Sequence, residues 1–279
     1  PFHSCEGYIQ KLVSKGYKVA ICEQTQNPAE AKGLVKRDVI RVITPGTVIE
    51  SNMLDESKNN YIASLYSDGN DAGICFCDVS TGQLYATELS GKSVADEIKS
   101  QLVSYNPHEI LLGGTLSSSV ALQSFISDKL IANIEKPDSE EYAYLDCLDI
   151  ILKQFGSKKG SEIKDYNMVV SALGVLLSYL YKTQMTGLER ISDVVLYSVN
   201  QFMKLDFNTR RNLELTQTML TKDKKGSLLW VLDKTKTAMG KRLLRHWIEH
   251  PLMNAAAIIR RHSAVEELVN NTVKRLEIT

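Results

Sequence analysis

The sequence predicts a multidomain chain. A small α/β element comes first, an α/β domain with a mixed sheet follows, and an all-α region comes last. Three observations carry this reading. Strand patterns and turn dipeptides crowd into residues 1–136. From Pro137 onward strand signals mostly vanish, and apolar residues recur at helical spacing. Between the first two parts, Ser51 to Asn60 is rich in Asn, Ser, Asp and Glu and reads as a linker. The expected divisions are therefore 1–50, 54–136 and 137–279.

The elements follow in order. Tyr8, Ile9, Leu12 and Val13 fall at helical spacing, and Gly16 suits the end of that helix. Tyr17 to Cys22 and Asp38 to Thr44 read as strands, the second closed by the Pro45-Gly46 turn. In the second part, Tyr61 to Tyr66 is a strand and Asp68-Gly69-Asn70-Asp71 a turn. Ala72 to Val79 and Gln83 to Leu89 form a hairpin around Ser80-Thr81-Gly82. Val94 to Tyr105 is an amphipathic helix that stops before Pro107, and Glu109 to Leu112 is a short apolar strand. Val120 to Leu130 predicts a helix and Ile131 to Ile134 a strand. Strands first, then alternating helix and strand, is an α/β order with a mixed sheet.

In the third part, Leu148, Ile151, Leu152 and Phe155 line one helix face, and Gly156 to Gly160 reads as a loop. Val169, Leu173, Leu176 and Leu180 line a second long helix, which Gly187 ends. Asp206 and Asn208 are cap residues before Leu213, Leu215 and Met219. Ser227 caps a short apolar helix, Leu228 to Leu232, after the break at Gly226. Thr237 caps the next helix, which Pro251 stops. A last helix starts near Asn254 and carries Ile258, Val265 and Leu268 on one side.

Composition narrows the function classes. The 279 residues are 43% hydrophobic and 24% charged, ordinary globular material. Lys+Arg and Asp+Glu both number 33, so the formal net charge of zero argues against a free-standing nucleic-acid binder. Lys222, Lys224, Lys225, Lys234, Lys236, Lys241, Arg242 and Arg245 still concentrate positive charge, and a solvated helical surface accounts for them better than a phosphate-binding stripe. The five cysteines, Cys5, Cys22, Cys75, Cys77 and Cys147, have no framework spacing and read as free thiols. Cys75 and Cys77, two apart, face one side of a strand as small apolar filler. No signal peptide or membrane span is visible, so a soluble, cytoplasmic protein is expected. The first residue is Pro1 and the chain stops at Thr279 within a helical pattern, so a fragment of a longer protein is expected.

Particular words in this pattern resemble the MutS family of DNA mismatch-repair proteins. From Leu205, LD…T..NLEL, then GSLLWVLDKTKTAMGKRLLRHWI..PL, then I..R resemble the family's core, in order and with close spacing. P.H….Y…L…GY.VAICEQ followed by R.V.R..TPGT resembles the end of its mismatch-binding domain, and D.STG….TEL resembles its connector domain. The resemblance implies a ribonuclease-H-like fold for the connector and lever helices in the third part, linking DNA-binding and ATPase regions. It also implies a parent that recognises mismatched duplex DNA, uses ATP and magnesium, forms a homodimer and works with MutL. The family's base-wedging Phe-x-Glu lies upstream of the matched words, so Phe2, beside His3, does not take that role.

Residue by residue, the chemistry is sparse. Met239-Gly240-Lys241-Arg242 is the nearest approach to a P-loop, but position 235 is Thr and Arg242 replaces the magnesium-binding Ser or Thr. His246-Trp247-Ile248-Glu249-His250 matches H-x-x-E-H, with His262 a conceivable third metal ligand, yet Pro251 ends the helix there. Asp78, Glu109, Asp128 and Glu135 are candidates for a metal-dependent nuclease, although no motif marks them. No catalytic, cofactor-binding or metal residue is therefore assigned, and the DNA contacts stay unassigned. The expectation is a non-enzymatic connector and lever segment that binds DNA weakly and does not bind ATP. The alternatives are that nuclease and a helical interaction scaffold.

Overall fold

The computed structural model describes residues 5–27, 33–185 and 187–278. The chain divides into two compact units. The first is residues 1–54 with 60–196, and the second is 55–59 with 197–279.

The first unit opens with helix α1 (Glu6–Val13) and an antiparallel pair, β1 (Val19–Gln24) and β2 (Arg37–Ile43). Ile9, Val13, Ile43 and Val48 are buried together as one apolar cluster. A six-stranded sheet follows, built from β3 (Tyr61–Ser67), β4 (Asp71–Asp78), β5 (Gln83–Ser90), β6 (Glu109–Gly114), β7 (Asn133–Glu135) and β8 (Val195–Leu196). Its order is β7-β6-β3-β4-β5-β8. β3, β4 and β5 are antiparallel neighbours, while β6 runs parallel to β3 and β7 parallel to β6. The sheet is mixed, as the element order predicts.

Both faces of this sheet are covered, so β4 is buried on both sides from Ala72 to Asp78, with an uninterrupted apolar run from Ile74 to Cys77 rather than alternation. On one face Phe76 stacks on Tyr105 at 4.0 Å, with Tyr61 edge-on to Tyr105, and helix α2 (Val94–Tyr105) adds Ile98 and Leu102. On the other, Cys75 and Cys77 face helices α4 (Tyr144–Ile163) and α5 (Asn167–Gln184). Burial pushes the Cys75 and Cys77 thiols well above their usual range, so they stay protonated and inert. The region 115–135 holds helix α3 (Val120–Phe125), continued by a π-turn at Ile126–Leu130 before β7.

Two expectations change. α4 and α5 read in sequence as the start of the all-α region, but α5 packs on the sheet and α4 packs on α5. Periodicity predicts that a segment is helical and does not say what it packs against. α5 carries Val169, Val170, Ala172, Leu173, Val175, Leu176, Leu177 and Leu180 buried all round, the mark of a helix between two layers. The expected loop at Gly156 to Gly160 is helical on both sides of a single break at Gly156, whose φ of 79° suits glycine.

The second unit is helical: α6 (Phe207–Asn212), α7 (Leu228–Leu232), α8 (Ala238–Glu249), α9 (Ala255–Asn270) and α10 (Thr272–Ile278). Asp206, Ser227 and Thr237 cap as predicted, Asn208 lies inside α6 instead, and Asn254, where the last helix is expected to start, caps it. Asp206, Ser227, Thr237 and Asn254 accept from the backbone N–H of Thr209, Trp230, Gly240 and Ala257.

Candidate functional site

Two joints collect the candidate residues, one in each unit. In the first unit Glu109, at the start of β6, is fully buried. Its carboxylate accepts from the hydroxyl of Thr44, from the Gly46 N–H at 3.1 Å and from the Tyr179 hydroxyl at 2.5 Å. These donors come from the turn after β2 and from α5. The approach is close enough that a Cβ on Gly46 would lie 2.8 Å from Cβ of Glu109, so only glycine fits there. Thr44 and Thr47 brace the turn through their hydroxyls at 2.9 Å, and Asn60 Nδ2 donates to the Pro45 carbonyl at 3.1 Å. Burial pushes the Glu109 carboxyl up, and the Thr44, Tyr179 and Gly46 donors act against that shift.

The other nuclease candidates hold separate structural posts. Asp78, fully buried, accepts from Ser80 N at 3.0 Å, Ser80 Oγ at 2.6 Å and Asn60 N at 3.3 Å. It shapes the β4–β5 turn. Glu135 pairs with Lys18 at 2.9 Å, and Asp128 is exposed on the π-turn. Among the described residues no three His, Cys, Asp or Glu side chains gather to hold a metal ion. Two-metal nuclease chemistry needs carboxylates that converge, and these are spent on a joint, a turn, an ion pair and solvent.

In the second unit the H-x-x-E-H stretch forms the C-terminal turns of α8. His246 and His250 stack at 4.2 Å, with the Phe202 ring edge-on to both. The i, i+4 spacing does bring the two rings together, but as packed aromatic surfaces. Burial pushes His246 down to about 4 and His250 to about 3, so both are neutral near pH 7. Glu249 pairs with Arg245 at 3.2 Å, while Arg210 donates to the Glu249 carbonyl at 2.6 Å and to the Leu205 carbonyl at 2.9 Å. His262 is exposed on α9, where Arg261 instead lies 4.0 Å over the Trp247 ring.

The residues nearest to a P-loop do not form a phosphate cradle. Gly240 lies inside α8 and its N–H is taken by Thr237 Oγ1 at 3.1 Å. ATP and magnesium therefore find no fit there. In the basic stretch, Lys222, Lys224, Lys225, Lys234 and Lys236 are exposed, as expected of a solvated surface. Lys224 pairs with Asp233, whose carboxyl this contact holds down at about 2. Phe2 and His3 lie outside the described residues. Sequence reasoning named Glu109 for the wrong chemistry and did not connect it to Tyr179, 70 residues away along the chain.

Comparison with known proteins gives a consistent result. Three family models match consecutive parts of the chain: MutS domain I at residues 1–52, MutS domain II at 60–192 and MutS domain III at 208–279. The DNA mismatch repair protein MutS of Ruminiclostridium cellulolyticum is 47% identical over 277 residues, 99% of this chain and 32% of that protein. Those of Caldanaerobacter subterraneus and Alkaliphilus oremlandii are 45% and 43% identical, each across 100% of this chain and 32% of the relative. The chain thus spans about one third of the length of the curated relatives it matches.

Proposed function

Because this chain belongs to the MutS family of DNA mismatch-repair proteins, we propose that it is the segment that joins DNA recognition to the ATPase in such a protein. Residues 1–50 are the end of the mismatch-binding domain, the connector with a ribonuclease-H-like fold begins at about 54 and runs on through α4 and α5, and the rest of the chain is the start of the helical core and lever. The strand order supports the connector reading: three antiparallel strands with two further strands added in parallel at one edge. α4 and α5 then serve as a covering layer of the connector. The whole protein recognises mismatched duplex DNA, hydrolyses ATP with magnesium as a homodimer, and works in the cytoplasm. The connector also offers a docking surface to MutL. This segment is not itself an enzyme.

The observation that carries the reading is the order of the three matched domains on one chain. A titration of matched and single-mismatch duplexes tests it, at low and moderate salt, with and without ATP. Weak binding that fades with salt and ignores both mismatch and ATP is expected. A mismatch preference would place recognition inside this segment and overturn the division of labour.

A further inference from the structure

In the first unit the N-terminal part and the α5-covered face of the sheet have separate apolar clusters. Ile9, Val13, Ile43 and Val48 hold the N-terminal part together, whereas Ile62, Leu111, Leu173 and Leu176 belong to the layered sheet. Ile49 packs on the second cluster, and polar contacts complete the tie between the two. Asn133 Nδ2 donates to the Gly16 carbonyl at 2.6 Å, Lys18 meets Glu135 at 2.9 Å, and Arg41 Nε donates to Gln184 Oε1 at 3.0 Å. In this seam lies Glu109, which accepts from the Thr44–Thr47 turn and from Tyr179.

We propose that Glu109 is the pin of a hinge: its carboxylate holds the turn after β2 on the layered sheet, and when that grip is lost the N-terminal part swings away while both clusters stay folded. The inference goes beyond the proposed function and stands whatever the whole protein binds. Its basis is that a buried carboxylate is held in place only by its donors. From the turn it faces uncharged hydroxyls and an amide, and from α5 the Tyr179 phenol. From just before β1 comes Lys18, which pairs with Glu135 of β7, lies 5.4 Å over the Tyr179 ring and by its charge draws the Glu109 carboxyl down against the effect of burial. No contact pairs Glu109 directly with a cation among the described residues. Opening the seam admits water to the carboxylate, so the charged form favours the open hinge and the protonated form the closed one. A neutral side chain with the same hydrogen bonds would hold more tightly.

The Gly46 amide, donated to Glu109, reports the seam. Its exchange is measured on the whole chain between pH 5 and 7.5, corrected for intrinsic rate. Amides of the β1–β2 pair and of β4 serve as controls for the two clusters. In the parent sequence, opening at Gly46 increases with pH. Glu109→Gln can accept from Thr44 and Gly46 through its oxygen and donate to the Tyr179 oxygen, so opening becomes independent of pH. Glu109→Ala raises opening at Gly46 by roughly tenfold or more, the loss expected for one hydrogen bond to a charged group, while both controls are unchanged. Tyr179→Phe, which removes one donor and leaves the chain's packing intact, raises it severalfold. Equal loosening of β4 in Glu109→Ala or Tyr179→Phe, unchanged Gly46 exchange in both, or a pH dependence retained in Glu109→Gln would each overturn the hinge.

Discussion

Lowering the pH from 7 to 5 destabilises the second unit through His246 and His250. Burial holds these rings down at about 4 and about 3, against an ordinary 6.5. Between pH 6.5 and those values the unfolded chain binds protons that the folded chain refuses. Stability therefore rises with pH in this window, is fully present above about pH 6.5, and is lost as the pH falls. At pH 5 each ring accounts for roughly 2 kcal/mol relative to pH 7, or about 4 kcal/mol together. The rings stack at 4.2 Å, so protonating one further opposes protonating the other. Glu249, in the same unit and also pushed up by burial, titrates with the opposite sign, so the net slope is shallower than the histidines alone would give.

The assay is urea unfolding followed by tryptophan fluorescence. The chain has two tryptophans, Trp230 in α7 and Trp247 in α8, and both report the second unit. The comparison is with a double variant, His246→Phe with His250→Asn. The first change keeps a ring against Phe202. The second leaves an amide donor in reach of the His246 backbone carbonyl, which His250 Nδ1 meets at 3.1 Å. The difference in stability slope between parent and variant isolates the two rings. A variant with the same loss between pH 7 and pH 5 as the parent would refute the reasoning.

Two further predictions concern packing and capping. Gly73→Ala places a Cβ 2.1 Å from the Met168 carbonyl oxygen at the start of α5, so the helix must lift from β4; a loss of about 1–3 kcal/mol in thermal unfolding is expected, and an unchanged midpoint would contradict the contact. Ser227→Ala removes a buried cap that accepts from Trp230 N at 3.2 Å and donates to the Lys224 carbonyl at 2.7 Å; urea unfolding of the second unit should lose about 1–2 kcal/mol, and a loss near zero would rule out the cap as a stabiliser.

What was legible in the sequence was local. The caps at Asp206, Ser227, Thr237 and Asn254 are decided within three residues of themselves, and the β4–β5 hairpin by the Asp78 turn. The family resemblance was legible too, because its words are short and ordered. What stayed hidden was the choice of partner. α5 looked like any long apolar helix until the sheet beneath it was known. Glu109 looked like a stray acid in a strand, since its donors lie at Thr44, Gly46 and Tyr179. His246 and His250 carried the right spacing for contact, but spacing does not distinguish a shared metal from a stacked pair. Burial decides that, and burial is a property of the whole unit.

The two units are held in different ways, which sets where each is vulnerable. In the first, the sheet, α4 and α5 bury a continuous run of large side chains, and most of the stabilisation is apolar area that pH does not touch. In the second, Leu205, Leu215 and Leu229 are buried, whereas α8 and α9 contain no buried residue among those described. Leu243, Ile259, Val265, Val269, Val273 and Leu276 remain exposed. A unit with so small an interior depends on caps, on the Arg210 contacts to two carbonyls and on the neutral histidine pair. Removing a few kcal/mol there is a large fraction of what holds it. Acid should therefore act on the second unit first, with the fluorescence transition preceding any loss of the sheet's circular dichroism. The first unit would feel acid in the opposite sense at its seam, where protonating Glu109 closes the joint that ionisation strains.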